Sequence, residues 1–290
     1  MPARLKKAGL PYLLLLPGLG WLVIFFLVPL FIMVLESLKT GTIDTGFTLT
    51  WEFSNYTEAL SDYSEQFLRS FEYAGLATLF ALLIGYPLAY VIAFRGGKYR
   101  NALLLAVIVP FFITYLIRTL SWETILSDSG IVVETLRTIG IVSENGRLLD
   151  TTVSVVAGIT YNYLPFMILP LYASLERIDP RMLEAGYDLY GHRRDVFLRV
   201  TLPLSMPGVV AGTLLTFIPA AGDFINAELL GTPRQFMIGN VIQSRYLEVA
   251  DYPTAAALSF LLMAFMLIIV VIWARIAGTE ALLGTEGEAR

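Results

Sequence analysis

The sequence predicts an all-α membrane protein with six transmembrane helices, and three observations carry that expectation. Of 290 residues, 56% are hydrophobic and only 15% are charged, whereas a soluble domain carries about 25% charge. The apolar residues fall in blocks of about 20, the length at which a helix rising about 1.5 Å per residue crosses a hydrocarbon core of about 30 Å. Those blocks also lack the polar face that a helix of a soluble protein keeps.

The expected spans are Leu10–Leu35, Tyr73–Phe94, Ala102–Trp122, Thr152–Leu175, Met206–Ala227 and Thr254–Ala274. Residues 10–274 thus form one transmembrane domain, flanked by a terminal segment 1–9 and a tail 275–290. The first span has a signal peptide as its alternative, because Arg4, Lys6 and Lys7 precede it. Its length and the lack of a small-x-small cleavage site argue for a span. Placing both termini in the cytoplasm puts 13 of the 20 Lys and Arg residues on that side and leaves Lys39, Arg69, Arg137, Arg147, Arg234 and Arg245 outside. That asymmetry is the one insertion favours.

Pro29, Gly85, Pro87, Pro165, Pro170, Pro219 and Gly222 interrupt the spans. Backbone groups freed there must be met by neighbouring helices or a wet cavity, so the breaks read either as packing kinks or as a translocation path. Gly208, Gly212 and Ala255–Ala257 offer close helix approach. The outer segments, about 36–72 and 123–150, suit short interfacial helices, as does Met237–Glu248. No internal repeat is visible, which disfavours an inverted-repeat carrier.

The sequence has no cysteine and one histidine, His192. Disulfides, thiolate chemistry and His/Cys metal centres are therefore excluded. A net charge of −4 without a basic patch speaks against nucleic acid as a partner. The sequence contains no GxxxxGK[ST] phosphate loop either. A membrane-embedded enzyme would need a catalytic pair or metal cluster at depth, and the spans offer one carboxylate and no histidine. A proton-coupled carrier would need a relay of titratable groups, which is missing too.

The most informative stretch is the connector 176–203. Asp179 is placed as a helix N-cap, with Pro180 at the first helical position. A helix to about Tyr190 follows, with Gly191 as its stop, and then a second short helix that ends before Pro203. The tip exposes Tyr190, Gly191, His192 and Arg193.

In this connector Glu184-Ala185-Gly186, followed after a spacer by Val200-Thr201-Leu202-Pro203, resembles the Glu-Ala-Ala loop of ABC importer permeases. The loop's later glycine falls one residue late, at Gly191. Pro110–Trp122, Tyr161–Tyr172 and Phe217–Phe224 with Leu229-Leu230-Gly231 resemble the third, fourth and fifth spans of spermidine/putrescine permeases of the PotB type. Gly239-Asn240-Val241-Ile242 and Tyr252-Pro253 continue the pattern.

The resemblance implies a type I ABC importer permease fold in the inner membrane of a prokaryote. It implies a chain with no cofactor of its own, partnered by a PotC-like permease, a dimer of ATPase subunits that use ATP and Mg, and an extracytoplasmic solute-binding protein. In that scheme Glu184, Ala185, Gly186, Asp188, Leu189, Tyr190, Gly191 and His192 form the ATPase-docking helix.

The polar residues within the spans can be read independently. A carboxylate at mid-membrane costs about 2.5–3.5 kcal/mol, so Asp223 needs a reason. It is either a cation contact facing the pathway, or a partner for Arg118 or a helix cap. Tyr161, Asn162 and Tyr163 suit an alkylammonium chain through cation–π contacts and hydrogen bonds; ordinary interhelix packing is the alternative for the tyrosines. Arg118 and Trp122 read as outer-interface anchors or pathway residues, and Glu228 as a rim charge or pathway lining.

Overall fold

The structure, a computed structural model, describes residues 14–143 and 146–277. The expected terminal segment 1–9 and the tail beyond Ala277 lie outside those residues. Among the described residues five helices are long and apolar enough to cross a membrane, or six if a bent helix pair is counted as one span. The chain divides into two compact units, residues 1–64 with 242–261, and 65–241 with 262–290.

The first unit contains helix α1 (Leu14–Ser37), strands β1 (Lys39–Thr42) and β2 (Gly46–Leu49), and helix α2 (Ser54–Asp62). The hairpin is an addition to the all-α expectation. Its threonine-rich strands are antiparallel, with Lys39 opposite Leu49, and Gly46 closes the turn at φ 78°, where glycine carries no steric penalty. The Asn55 amide donates to the Ser37 and Lys39 carbonyls at 2.9 and 3.0 Å, which joins α2 to the end of α1.

The second unit holds most of α3 (Ser64–Arg95), then α4 (Arg100–Ile108), α5 (Tyr115–Leu126) and α6 (Ile131–Thr138). They are followed by α7 (Thr152–Glu176), α8 (Pro180–Tyr190), α9 (Arg193–Val196), α10 (Leu202–Ala221) and α11 (Ile225–Leu230). Helices α12 (Ile238–Leu247) and α13 (Tyr252–Ala277) complete the chain. Buried Ala74, Ala77 and Ala81 line one face of α3 and pack into apolar clusters with residues of α7.

Close approach is achieved by glycine, as the sequence suggested for Gly208 and Gly212. A Cβ on Gly208 would lie 2.6 Å from Ser174 Cβ and 2.7 Å from the Pro170 carbonyl. One on Gly212 would lie 2.9 Å from Met167 Sδ. Helices α7 and α10 therefore meet nearly backbone to backbone, the contact that small residues permit in membranes.

Two expected spans and one expected stop differ from the sequence reading. The third span is not one helix. A tight turn at Val109–Phe112 contains Pro110, Ile113 and Thr114 are extended, and the limbs 97–112 and 115–138 bend by 95°. Pro110 lacks the N–H that a continuous ladder needs. The fifth span stops at Ala221, and Asp223 lies in the break before α11 rather than inside a helix. Pro203 was expected to end the helix before it. Instead the backbone widens into a π-helical stretch at Phe197–Thr201 that absorbs the proline and runs on into α10. The same device precedes Pro29, with a π-helical stretch at Val23–Leu27.

Gly208→Ala is expected to lower the thermal midpoint of the detergent-solubilised protein by several degrees, since overpacking costs about 1–3 kcal/mol. Gly75→Ala, inside α3 where an added Cβ meets nothing within 4 Å, should leave it unchanged or raise it slightly. Equal midpoints for the two variants would contradict the close α7–α10 contact.

Candidate functional site

Two places carry the chemistry, a polar cluster at the breaks of the third and fifth spans and the exposed connector between α7 and α10. Asp223 is the centre of the first. Its Oδ1 accepts the Asn226 backbone N–H at 2.9 Å, the local cap that lets α11 restart after Gly222. Its Oδ2 accepts from the Tyr115 hydroxyl, from Tyr163 at 3.2 Å and from Asn226 Nδ2 at 3.0 Å. Asn226 also donates to the Tyr115 hydroxyl, and its Oδ1 accepts from Asn162 Nδ2 at 3.1 Å. Asn162 Nδ2 reaches Thr119 Oγ1 at 3.2 Å as well. The cluster thus ties α5, α7 and α11 to the break that holds Asp223.

Four donors converge on the Asp223 carboxyl, whose two oxygens can accept all of them. The residue is 5% exposed, and among the described residues it has no cationic partner. The backbone around it is held from behind. A Cβ on Gly239 would lie 2.6 Å from the Gly222 carbonyl, so only glycine fits there. Asn240 Nδ2 donates to the Phe224 carbonyl at 2.8 Å. A cavity of about 250 Å³ opens beside the carboxylate, lined by Tyr115, Tyr163, Pro219, Phe224 and Ile225.

Of the residues expected near the pathway, the structure brings together Asp223, Asn162 and Tyr163. Tyr161 does not join them. On a helix it points away from its two neighbours, and its ring packs on Trp122 at 5.4 Å in an apolar hollow of about 450 Å³. That hollow is larger, but no charged side chain lines it, so it cannot select for charge. Arg118 is not Asp223's partner, and it is not an exposed anchor. It is 6% exposed, with its guanidinium 4.9 Å from the Phe111 ring centre and 5.6 Å from that of Tyr115. Among the described residues it has no carboxylate within ion-pair distance. Glu228 lies on the exposed side of α11, away from the buried Asn226, Ala227 and Leu230.

Tyr115, Thr119 and Asn226 belong to the site although sequence reading did not select them. The signal for Asn226 was its position three residues after Asp223, the spacing of an Asx cap.

The connector matches its expected local chemistry. Asp179 accepts the Arg181 N–H at 2.9 Å, Pro180 opens α8, and Gly191 ends it at φ 73°. Glu184, Ala185, Asp188, Leu189, Gly191 and His192 are exposed, Leu189 at 75%. Tyr190 is half-buried, with Arg199 5.0 Å from its ring centre. Gly186 departs from the expected docking face. It is buried, and a Cβ there would meet Val196 and Val200 at 3.2 and 3.3 Å. Its small size lets α8 lie against the start of the next helix and hold the exposed face in place.

Comparison with known proteins agrees with this arrangement. Residues 81–278 match the family described as binding-protein-dependent transport system inner membrane component. The chain is 38% identical over 257 residues to the spermidine/putrescine transport system permease protein PotB of Haemophilus influenzae, covering 88% of this chain and 90% of that one. It is also 38% identical to its Escherichia coli counterpart over 256 residues, covering 88% and 93%. Among solved structures it resembles a chain of a bacterial alginate ABC transporter in complex with alginate pentasaccharide-bound periplasmic protein. The TM-score is 0.69 at 21% identity, covering 96% of this chain and 97% of that one. With its membrane-spanning helices, the broken third and fifth spans and the capped connector helix, the chain belongs to the family of binding-protein-dependent ABC permeases of the inner membrane and is homologous to its PotB members.

Proposed function

We propose that this permease lines a path for polyamines of the spermidine and putrescine class, and that ATP hydrolysed by separate subunits drives their import. The observation that carries the cargo reading is Asp223, a buried carboxylate with neutral donors and no cation, beside the Tyr115 and Tyr163 rings. A buried charge left uncompensated is costly, and an alkylammonium group arriving in the adjacent cavity would relieve that cost. Aromatic faces add cation–π attraction for the same group. The relatives at 38% identity are spermidine/putrescine permeases, which supports this cargo. Fold alone does not choose it, because a chain of similar fold serves the import of an acidic polysaccharide. Another small cationic solute on the same carboxylate is the second reading.

In the same proposal α8 is the docking helix. Its exposed Glu184, Asp188 and Leu189 sit in a groove of an ATPase dimer that uses ATP and Mg. A PotC-like permease completes the path, and a solute-binding protein delivers cargo from the opposite face. Both termini then lie in the cytoplasm, as the Lys and Arg distribution favours. A switch of this kind works only if the motor contacts two conformations of the permease differently, and a rigid, capped helix suits such a lever.

Two substitutions separate the halves of this reading. Asp223→Asn should lower spermidine uptake by about tenfold or more, the scale of one charge-assisted interaction of about 1.5–3 kcal/mol, and should lower it more than it lowers recovery of the assembled complex. Unchanged uptake would remove Asp223 from the pathway. Glu184→Lys should leave membrane insertion intact but lose the ATPase subunit on purification. Co-purification at full stoichiometry would contradict a docking role for α8.

A further inference from the structure

We infer that Arg100 and Glu176 form a strut that carries motion of the docking helix α8 into the broken third span, making both residues positioning residues for coupled transport. The inference rests on the docking role proposed for α8.

Arg100 Nη2 lies 2.8 Å from Glu176 Oε1. The guanidinium also stands 5.1 Å from the ring centre of Tyr172, one turn before Glu176. Arg100 is the first residue of α4, and Glu176 is the last of α7. Each charge therefore sits at the unfavourable end of its own helix, because acids favour N-termini and bases C-termini. Each is matched instead by the other's helix, the glutamate against the N-terminus of α4 and the arginine against the C-terminus of α7. Neither charge is favoured by its own helix end, so the contact between the two helices is what compensates both.

The strut stands at the root of the connector. Leu175 is fully buried, and Ile178 nearly so, in one apolar cluster with Leu183 of α8. Three residues after Glu176, Asp179 caps α8. The joint between α7 and α8 is therefore stiff, and displacement of α8 moves the end of α7. Through Arg100 the same displacement reaches α4. Beyond α4 come the extended residues Ile113 and Thr114 and then Tyr115, whose hydroxyl donates to Asp223. The route thus joins the connector to the carboxylate in the pathway through a bend already built into the span.

The test uses the complete importer in proteoliposomes, with spermidine uptake and ATP hydrolysis measured on the same preparation. Arg100→Glu and Glu176→Arg should each lower spermidine moved per ATP by about two- to fivefold, the scale of a half-exposed ion pair, with the ATPase still bound. The double exchange R100E/E176R should recover at least half of the lost ratio, and Arg100→Lys should lose less than Arg100→Glu. A purely structural role would lower assembly and both rates together, leaving the ratio unchanged. An unchanged ratio in the single variants, or no recovery in the exchange, overturns the strut while Glu184→Lys still releases the ATPase. Retention of the ATPase by Glu184→Lys overturns the docking role instead, and the strut with it.

Discussion

The carboxylate of Asp223 and the four hydrogen bonds it accepts are the constraint around which the membrane part of this protein is organised. Two spans are interrupted at that level, one after Pro110 and one after Ala221. An interrupted helix in hydrocarbon leaves backbone and side-chain groups that must find partners. Asp223 supplies part of the answer locally, by capping α11, and part at a distance, by collecting Tyr115 from α5 and Tyr163 from α7. Asn226 and Asn162 extend the network behind it, and Gly239 lets the backbone of α12 close against the break. The groups that make the break tolerable are thus the ones on which the proposed cargo contact draws. The same donors hold the Asp223 carboxyl at the edge of a cavity.

The remainder of the molecule positions that set. Glycines on α10 bring it against α7, and the alanine face of α3 packs on α7 from another side. At the far end of α7 the capped connector holds α8 with its charged and apolar residues exposed. Arg100 and Glu176 join that end to the limb leading back to Tyr115. A push on the connector and a change at the carboxylate are therefore linked by short, packed elements.

Much of this was legible in the sequence, and the failures are informative. Apolar block length placed the spans because hydrocarbon thickness fixes the length a helix must have. The connector was read nearly residue by residue, since Asp-Pro and Gly are strong local signals whose chemistry acts over one turn. The buried hydrogen-bond network was less legible. Tyr161, Asn162 and Tyr163 look equivalent in a row, but helix rotation sends Tyr161 to Trp122, Tyr163 to Asp223 and Asn162 to Asn226 and Thr119. Tyr115 lies 108 residues from Asp223 in the sequence and meets it only because two spans break. A proline in a span signals an interruption without saying whether the chain bends by 95°, as after Pro110, or slips through a π-helical stretch, as before Pro203. That choice depends on what the neighbouring helices can satisfy.

The chain contains no cysteine, so one introduced at Phe224, on the wall of the cavity beside Asp223, reports on that place alone. The deciding measurement is the rate at which this cysteine is modified by thiol reagents of equal size and opposite charge in the assembled importer, followed by the mass of this subunit. If the carboxylate sets a cation-attracting pathway, the cationic reagent reacts several-fold faster than the anionic one, and added spermidine slows it. Equal rates for the two reagents, with no protection by spermidine, would contradict the account.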